Sequence, residues 1–192
     1  MKRSNFLMYI LCLIGYYSFS QNTIPVERLV DYAANDDKGL DDDNISFIKD
    51  INGKLTKFEG KWKGTYEGRT FLVDIFKTTV NHSVNPKIEE DELQMKYKIL
   101  NNDGSVYEDI ENLPNTSPFV VKGRYLYDDE KYYFSFYGGQ DNCGLDGDLV
   151  AFVVDDQMSL TLFGTAEMLA GEDCPKIREV FPDRKSIVLS KQ

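Results

Sequence analysis

The chain has 192 residues, with 32 acidic against 22 basic side chains, one histidine and a formal net charge of −10. A surface this negative repels phosphate backbones and anionic headgroups, which excludes general nucleic-acid binding and docking on acidic lipid. Beyond an apolar run of about ten residues near the start, charges interrupt every apolar stretch, and none approaches the roughly twenty residues of a membrane-spanning helix.

Lys2 and Arg3 open the chain, and Phe6-Leu7-Met8-Tyr9-Ile10-Leu11-Cys12-Leu13-Ile14-Gly15 follows. Ser18-Phe19-Ser20 then stands before Gln21. This is the three-part layout of a secretory signal peptide. Residues 1–20 are therefore read as removed, and the rest as exported to the periplasm or the medium. Cleavage takes Lys2 and Arg3 with it and leaves the mature chain more acidic still. Cys12 is not read as a lipidation site. It lies inside the apolar run, and no small residue precedes it.

Residues 21–46 read as an acidic, poorly ordered lead, because Asp36-Asp37 and Asp41-Asp42-Asp43 cannot share a packed interior. A short helix is expected over 26–33. The single globular domain is placed at 47–192.

From there the pattern has period two. Trp62, Gly64 and Tyr66 alternate with Lys61, Lys63 and Glu67. Phe71, Val73 and Ile75 alternate with Leu72, Asp74 and Phe76. Leu93, Met95, Tyr97 and Ile99 alternate with Gln94, Lys96 and Lys98. Such alternation marks half-buried antiparallel strands. Further strands are predicted over 119–127, 131–137, 148–154, 158–163 and 186–190. Asn52-Gly53, Glu67-Gly68, Asp103-Gly104, Asp128-Asp129 and Asp155-Asp156 supply turns between them. About eight to ten strands joined mainly by short turns make an all-β antiparallel meander. A meander of this length tends to close and so remove its edges, which favours an up-and-down barrel over a two-sheet sandwich.

Cys143 and Cys174 are the two cysteines of the mature chain, and in an exported protein they suggest a disulfide. Such a bridge would contribute roughly 3–4 kcal/mol by the chain-entropy argument. Metal-ligand spacing is missing, and no metal or cofactor is expected. His82 is expected in a polar loop, Asn81-His82-Ser83, and the sequence has no Gly-x-Ser-x-Gly nucleophile elbow. Paired carboxylates such as Glu89-Glu90, Asp128-Asp129 and Asp155-Asp156 sit mostly at turn tips, where solvation explains them. Asp141, Asp146 and Asp148 match no calcium-loop spacing. No enzyme is expected.

Gly60-Lys61-Trp62, at the start of the first firm strand, resembles the Gly-x-Trp signature of the lipocalin and calycin barrels. There the Trp closes the narrow end of the barrel. The family's Arg over that Trp is matched loosely by Arg184, and its Thr-Asp-Tyr turn is missing. A broader resemblance joins the signal peptide before Gln21-Asn22, the stretch Lys57-Phe58-Glu59-Gly60-Lys61-Trp62-Lys63-Gly64-Thr65-Tyr66, and Gly68-Arg69-Thr70-Phe71. Asp173-Cys174-Pro175 and the closing Ile187-Val188-Leu189 complete it. Together they resemble an uncharacterised family of small exported proteins of Bacteroidota-type bacteria, catalogued as a domain of unknown function. The resemblance implies export and a lipocalin-like β fold, and brings no activity.

Two functions follow as expectations. The first is a non-catalytic barrel that takes a small apolar or aromatic-stacking ligand, lined by Trp62, Tyr66, Tyr97 and Tyr125. The second is a structural or envelope protein-interaction module with a filled core. The aromatic run Tyr132-Tyr133-Phe134-Ser135-Phe136-Tyr137 serves either, as cavity lining or as wall packing.

Overall fold

The computed structural model describes residues 22–33, 45–82, 87–139, 145–165 and 178–192. The predicted signal peptide, the acidic stretch 34–44 and both Cys143 and Cys174 lie outside the described residues.

The elements are β1 (Asn22–Pro25), a 3-10 turn (Val26–Arg28), α1 (Leu29–Ala33), β2 (Ile45–Lys49), β3 (Gly60–Tyr66), β4 (Arg69–His82) and β5 (Ile88–Leu100). Then follow β6 (Val106–Asp109), β7 (Val121–Tyr127), β8 (Lys131–Tyr137), β9 (Asp146–Val154), β10 (Gln157–Gly164) and β11 (Ser186–Lys191). Eight of these strands close an antiparallel barrel in the order β3-β4-β5-β7-β8-β9-β10-β11, with β11 returning to β3. The meander therefore closes as expected, and the sandwich alternative falls away. β6 adds to the edge of β5.

The turns follow the residues at their tips. Tyr66 pairs with Arg69 across Glu67-Gly68, and Val154 pairs with Gln157 across Asp155-Asp156. Both residues of each tip have positive φ, 46° and 77° in the first and 48° and 58° in the second. That is the mirror-image turn whose twist suits a hairpin, and Gly and Asp tolerate it best.

The lead segment departs from expectation. Asn22–Pro25 pairs in parallel with Ile45–Lys49, which pairs in parallel with the start of β5. Val26, Ile45 and Ile48 are buried in the core, and Leu29 and Tyr32 pack against it. Residues 22–33 and 45–49 are thus built into the domain. The helix expected over 26–33 is present as the 3-10 turn and α1. Parallel pairing was not legible, because it brings together residues from 23 to 42 positions apart with no tight turn to announce it.

The interior is aromatic and continuous. Phe58 meets Tyr132 at 5.8 Å between ring centres, and Tyr132 meets Phe134 at 4.8 Å. Tyr97, Phe136 and Phe71 all meet Phe181, at 5.0, 5.1 and 5.9 Å. These side chains are all at most 3% exposed. Buried aromatic pairs at such separations are closely packed rather than parted by open space.

Candidate functional site

The four residues expected to line a ligand cavity do not converge. Trp62, Val73 and Tyr97 are neighbours across β3, β4 and β5, and all three point into the core. The Trp62 indole N–H donates to the Phe58 carbonyl at 2.9 Å, so its one polar group is satisfied within the packing. The Tyr97 hydroxyl donates to the Glu108 carboxylate at 3.2 Å. Tyr66 sits at the far end of β3, half-buried against the core edge.

Tyr125 is on the outside. A simple alternation from Val121 sends Gly123, Tyr125 and Tyr127 inward. The register of β7 on β8 shifts between Gly123 and Tyr125, however. The extra residue flips the count, so Leu126 enters the core and Tyr125 and Tyr127 face out. Gly123 is required there. A Cβ would stand 2.3 Å from the Tyr132 hydroxyl and 2.5 Å from the Leu93 carbonyl. The Tyr132 hydroxyl uses that space to accept the Leu93 amide at 3.0 Å.

The outward tyrosines form a cluster of their own. Tyr125 stacks on Tyr133 at 4.9 Å, and Tyr127 meets Tyr133 edge-on at 6.3 Å. The Arg124 guanidinium lies 5.5 Å over the Tyr125 ring and bonds Asp148 at 2.7 Å. Burial raises the pKa of the Tyr125 hydroxyl, and it stays neutral at physiological pH. Farther round the same outer wall, Val154 and Val188 are 50% and 56% exposed.

Two polar clusters border the barrel ends. At the Trp62 end, His82 pairs with Glu90 at 3.0 Å, and Gln94 donates to Glu92 at 2.9 Å. Burial pushes the carboxyls of Glu90 and Glu92 above the usual range. His82 is the last residue of β4, not part of a loop as the sequence suggested. At the Phe181 end, Arg178 pairs with the buried Glu108. The Arg69 and Arg178 guanidiniums lie 5.1 and 5.2 Å from the Tyr107 ring.

A groove of about 230 Å³ runs over the outer face of β3–β5, with Leu72, Asp74, Lys96, Lys98 and Glu111 in its lining. Lys98 is neutralised by Asp109 at 2.8 Å. Among the described residues, no group of three His, Cys, Asp or Glu side chains stands close enough to hold a metal ion. No helix among them is long and apolar enough to cross a membrane.

The chain belongs to a family of unknown function, DUF6705, which matches it over residues 1–192. This agrees with the expectation of a family without assigned activity. No curated protein and no solved structure matches the chain.

The resemblance paired Arg184 with Trp62. The residue over the indole is instead Lys191, with its ammonium 5.2 Å from the ring centre. Arg184 sits in a turn at positive φ, beside Asp183. Lys191 reaches the indole because β11 pairs it directly with Trp62. A charge on the last residue of the final strand carries no local pattern, so only the closed register finds it.

Proposed function

We propose that this protein is an exported, non-catalytic β-barrel that works from its outer wall, as a protein-interaction module of the cell envelope or the medium. One observation carries the reading: the barrel interior is occupied by its own rings, from Phe58 and Trp62 through Tyr97 and Phe136 to Phe181. A ligand-binding barrel keeps its volume free for the ligand. Here the side chains that would line such a volume meet one another ring to ring, which supports a filled core. The working surface is then the outer tyrosine cluster with Arg124. Tyrosine and arginine are among the side chains enriched at protein interfaces, and tyrosine buries a large area at low entropic cost. Export rests on the layout of residues 1–20, and a lipocalin-like ancestry on Gly60-Lys61-Trp62.

The test is native mass spectrometry of the protein purified from its own host. The expected result is a bare polypeptide mass that lacks residues 1–20, alone or with a protein partner. The Tyr125→Ser/Tyr133→Ser variant should lose that partner without losing stability. A reproducible small-molecule mass that leaves on denaturation would overturn the reading and restore the ligand-binding barrel.

A further inference from the structure

The edges of the sheet are not treated alike. β3 pairs with β4 only along Arg69 to Ile75. β5 pairs with β4 along its whole length, as far as His82 opposite Ile88. The last seven residues of β4, Phe76-Lys77-Thr78-Thr79-Val80-Asn81-His82, therefore have a partner on one side only. Among the described residues no strand pairs with their other edge, and no loop backbone bond reaches it.

Open edges of this kind are usually blunted by shortness, proline or lysine. β1 is four residues long and ends in Pro25, and β6 is also four residues long. The β4 edge is longer, has no proline and carries the β-branched run Thr78-Thr79-Val80. Its one lysine is drawn away from guard duty. Lys77 bonds Asp50 at 3.1 Å and lies 4.0 Å from Glu59.

We infer that this edge pairs with the same edge of a second copy of the chain, antiparallel about a two-fold axis at Thr79. The sequence is compatible with itself in that register. Thr79 meets Thr79, Thr78 meets Val80, Lys77 meets Asn81 and Phe76 meets His82. No like charges stand opposite one another, and faces are preserved, even positions against even and odd against odd. Lys77 stays with Asp50 of its own copy, so its charge is not set against the facing strand. A two-fold pairing consumes both edges at once and stops at two copies. Each copy carries a net charge of −10, so the dimer should tighten as salt is added.

The experiment is light-scattering mass across protein and salt concentration, on the wild-type protein and three variants. The wild type should reach twice the chain mass, more readily in high salt. Thr79→Cys should oxidise to a covalent dimer whose peptide map shows the position-79 disulfide. Thr79→Lys, which sets two lysines face to face, should weaken dimerisation about five-fold or more. Thr23→Lys, on the β1 edge, should leave it unchanged. Thermal melting of each variant separates a lost interface from a lost fold. A wild type that stays monomeric at all concentrations, or a Thr79→Cys linked only through its native cysteines, would overturn the inference. So would a dimer indifferent to Thr79→Lys.

Discussion

The two ends of the barrel are closed by different means. At the Trp62 end the plug is local. Phe58 stands four residues before Trp62, accepts its indole N–H and fills the space beneath Tyr132. Asp50, with a fully buried side chain, shapes the turn that delivers it by accepting the Leu55 amide and the Lys77 ammonium. At the Phe181 end the plug comes from far along the chain. Phe181 reaches Phe71 and Tyr97 only because its flanks are tied down. Arg69 and the Tyr107 hydroxyl both donate to the Glu179 carbonyl, at 2.6 and 3.1 Å, and Arg178 engages Glu108. A plug close in sequence needs little beyond packing, whereas one brought from far along the chain requires polar anchors to offset the entropy of bringing it in.

That contrast can be broken by mutation. The largest effect is expected at the local end, where Trp62→Ala should cost about 3–5 kcal/mol in denaturant unfolding, because the site cannot collapse around so large a loss. Phe181→Ala should cost about 3 kcal/mol by the same measure, since it empties one ring position among three others. Glu108→Gln should cost about 1–3 kcal/mol, as it leaves the Arg178 cation and the Tyr97 hydroxyl poorly matched. It should also speed hydrogen exchange at Val180 and Phe181 while sparing Phe58. Equal exchange at both ends would mean the anchors do not act locally.

A smaller effect of opposite sign belongs to the Trp62 end. Burial raises the pKa of the Glu92 carboxyl in the folded protein. Its contribution to stability is therefore full below the unfolded carboxyl pKa and is lost as pH rises through the raised value. Glu92→Gln should then stabilise the protein by about 1 kcal/mol near neutral pH, with the gain fading toward pH 4. Melting temperatures of both proteins across that range test the sign. A gain that grew on acidification would contradict it. Smallest of all, Asp156→Gly should raise stability by a few tenths of a kcal/mol by relieving a left-handed φ of 58°, and should leave both ends as they were.

Much of the barrel was legible because most of its wall obeys one rule. Leu93, Met95, Tyr97 and Ile99 face inward as their alternation predicts, and β8 spans 131–137 as read. The inward count failed at Tyr125, where one inserted residue reversed it. β1 and β2 were missed because their pairing is parallel and distant, and β6 because four residues are too few to show a period. β4 and β5 run well past their alternating cores into Thr78 to His82 and Ile88 to Glu92, where polar residues on both faces erase the signal. That arm carries the His82–Glu90 pair and the open edge, so its polarity concealed it. Of the candidate site, Trp62 and Tyr97 were expected as cavity lining and stand in the packed core, while the clustering of Tyr125, Tyr127 and Tyr133 needed the bulge to be known.

Trp62 is the chain's one tryptophan, and it sits at one end of the barrel with its N–H on a carbonyl and a cation across its face. Indole emission depends on solvent relaxation and on nearby charge, so this protein carries its own optical gauge. While the Phe58 plug is seated, the light should be blue and weakened by the Lys191 ammonium. If that end alone loosens, the emission should shift red while the tyrosine signal from the Phe181 end stays unchanged. One wavelength scan would then report, without any label, which door has opened.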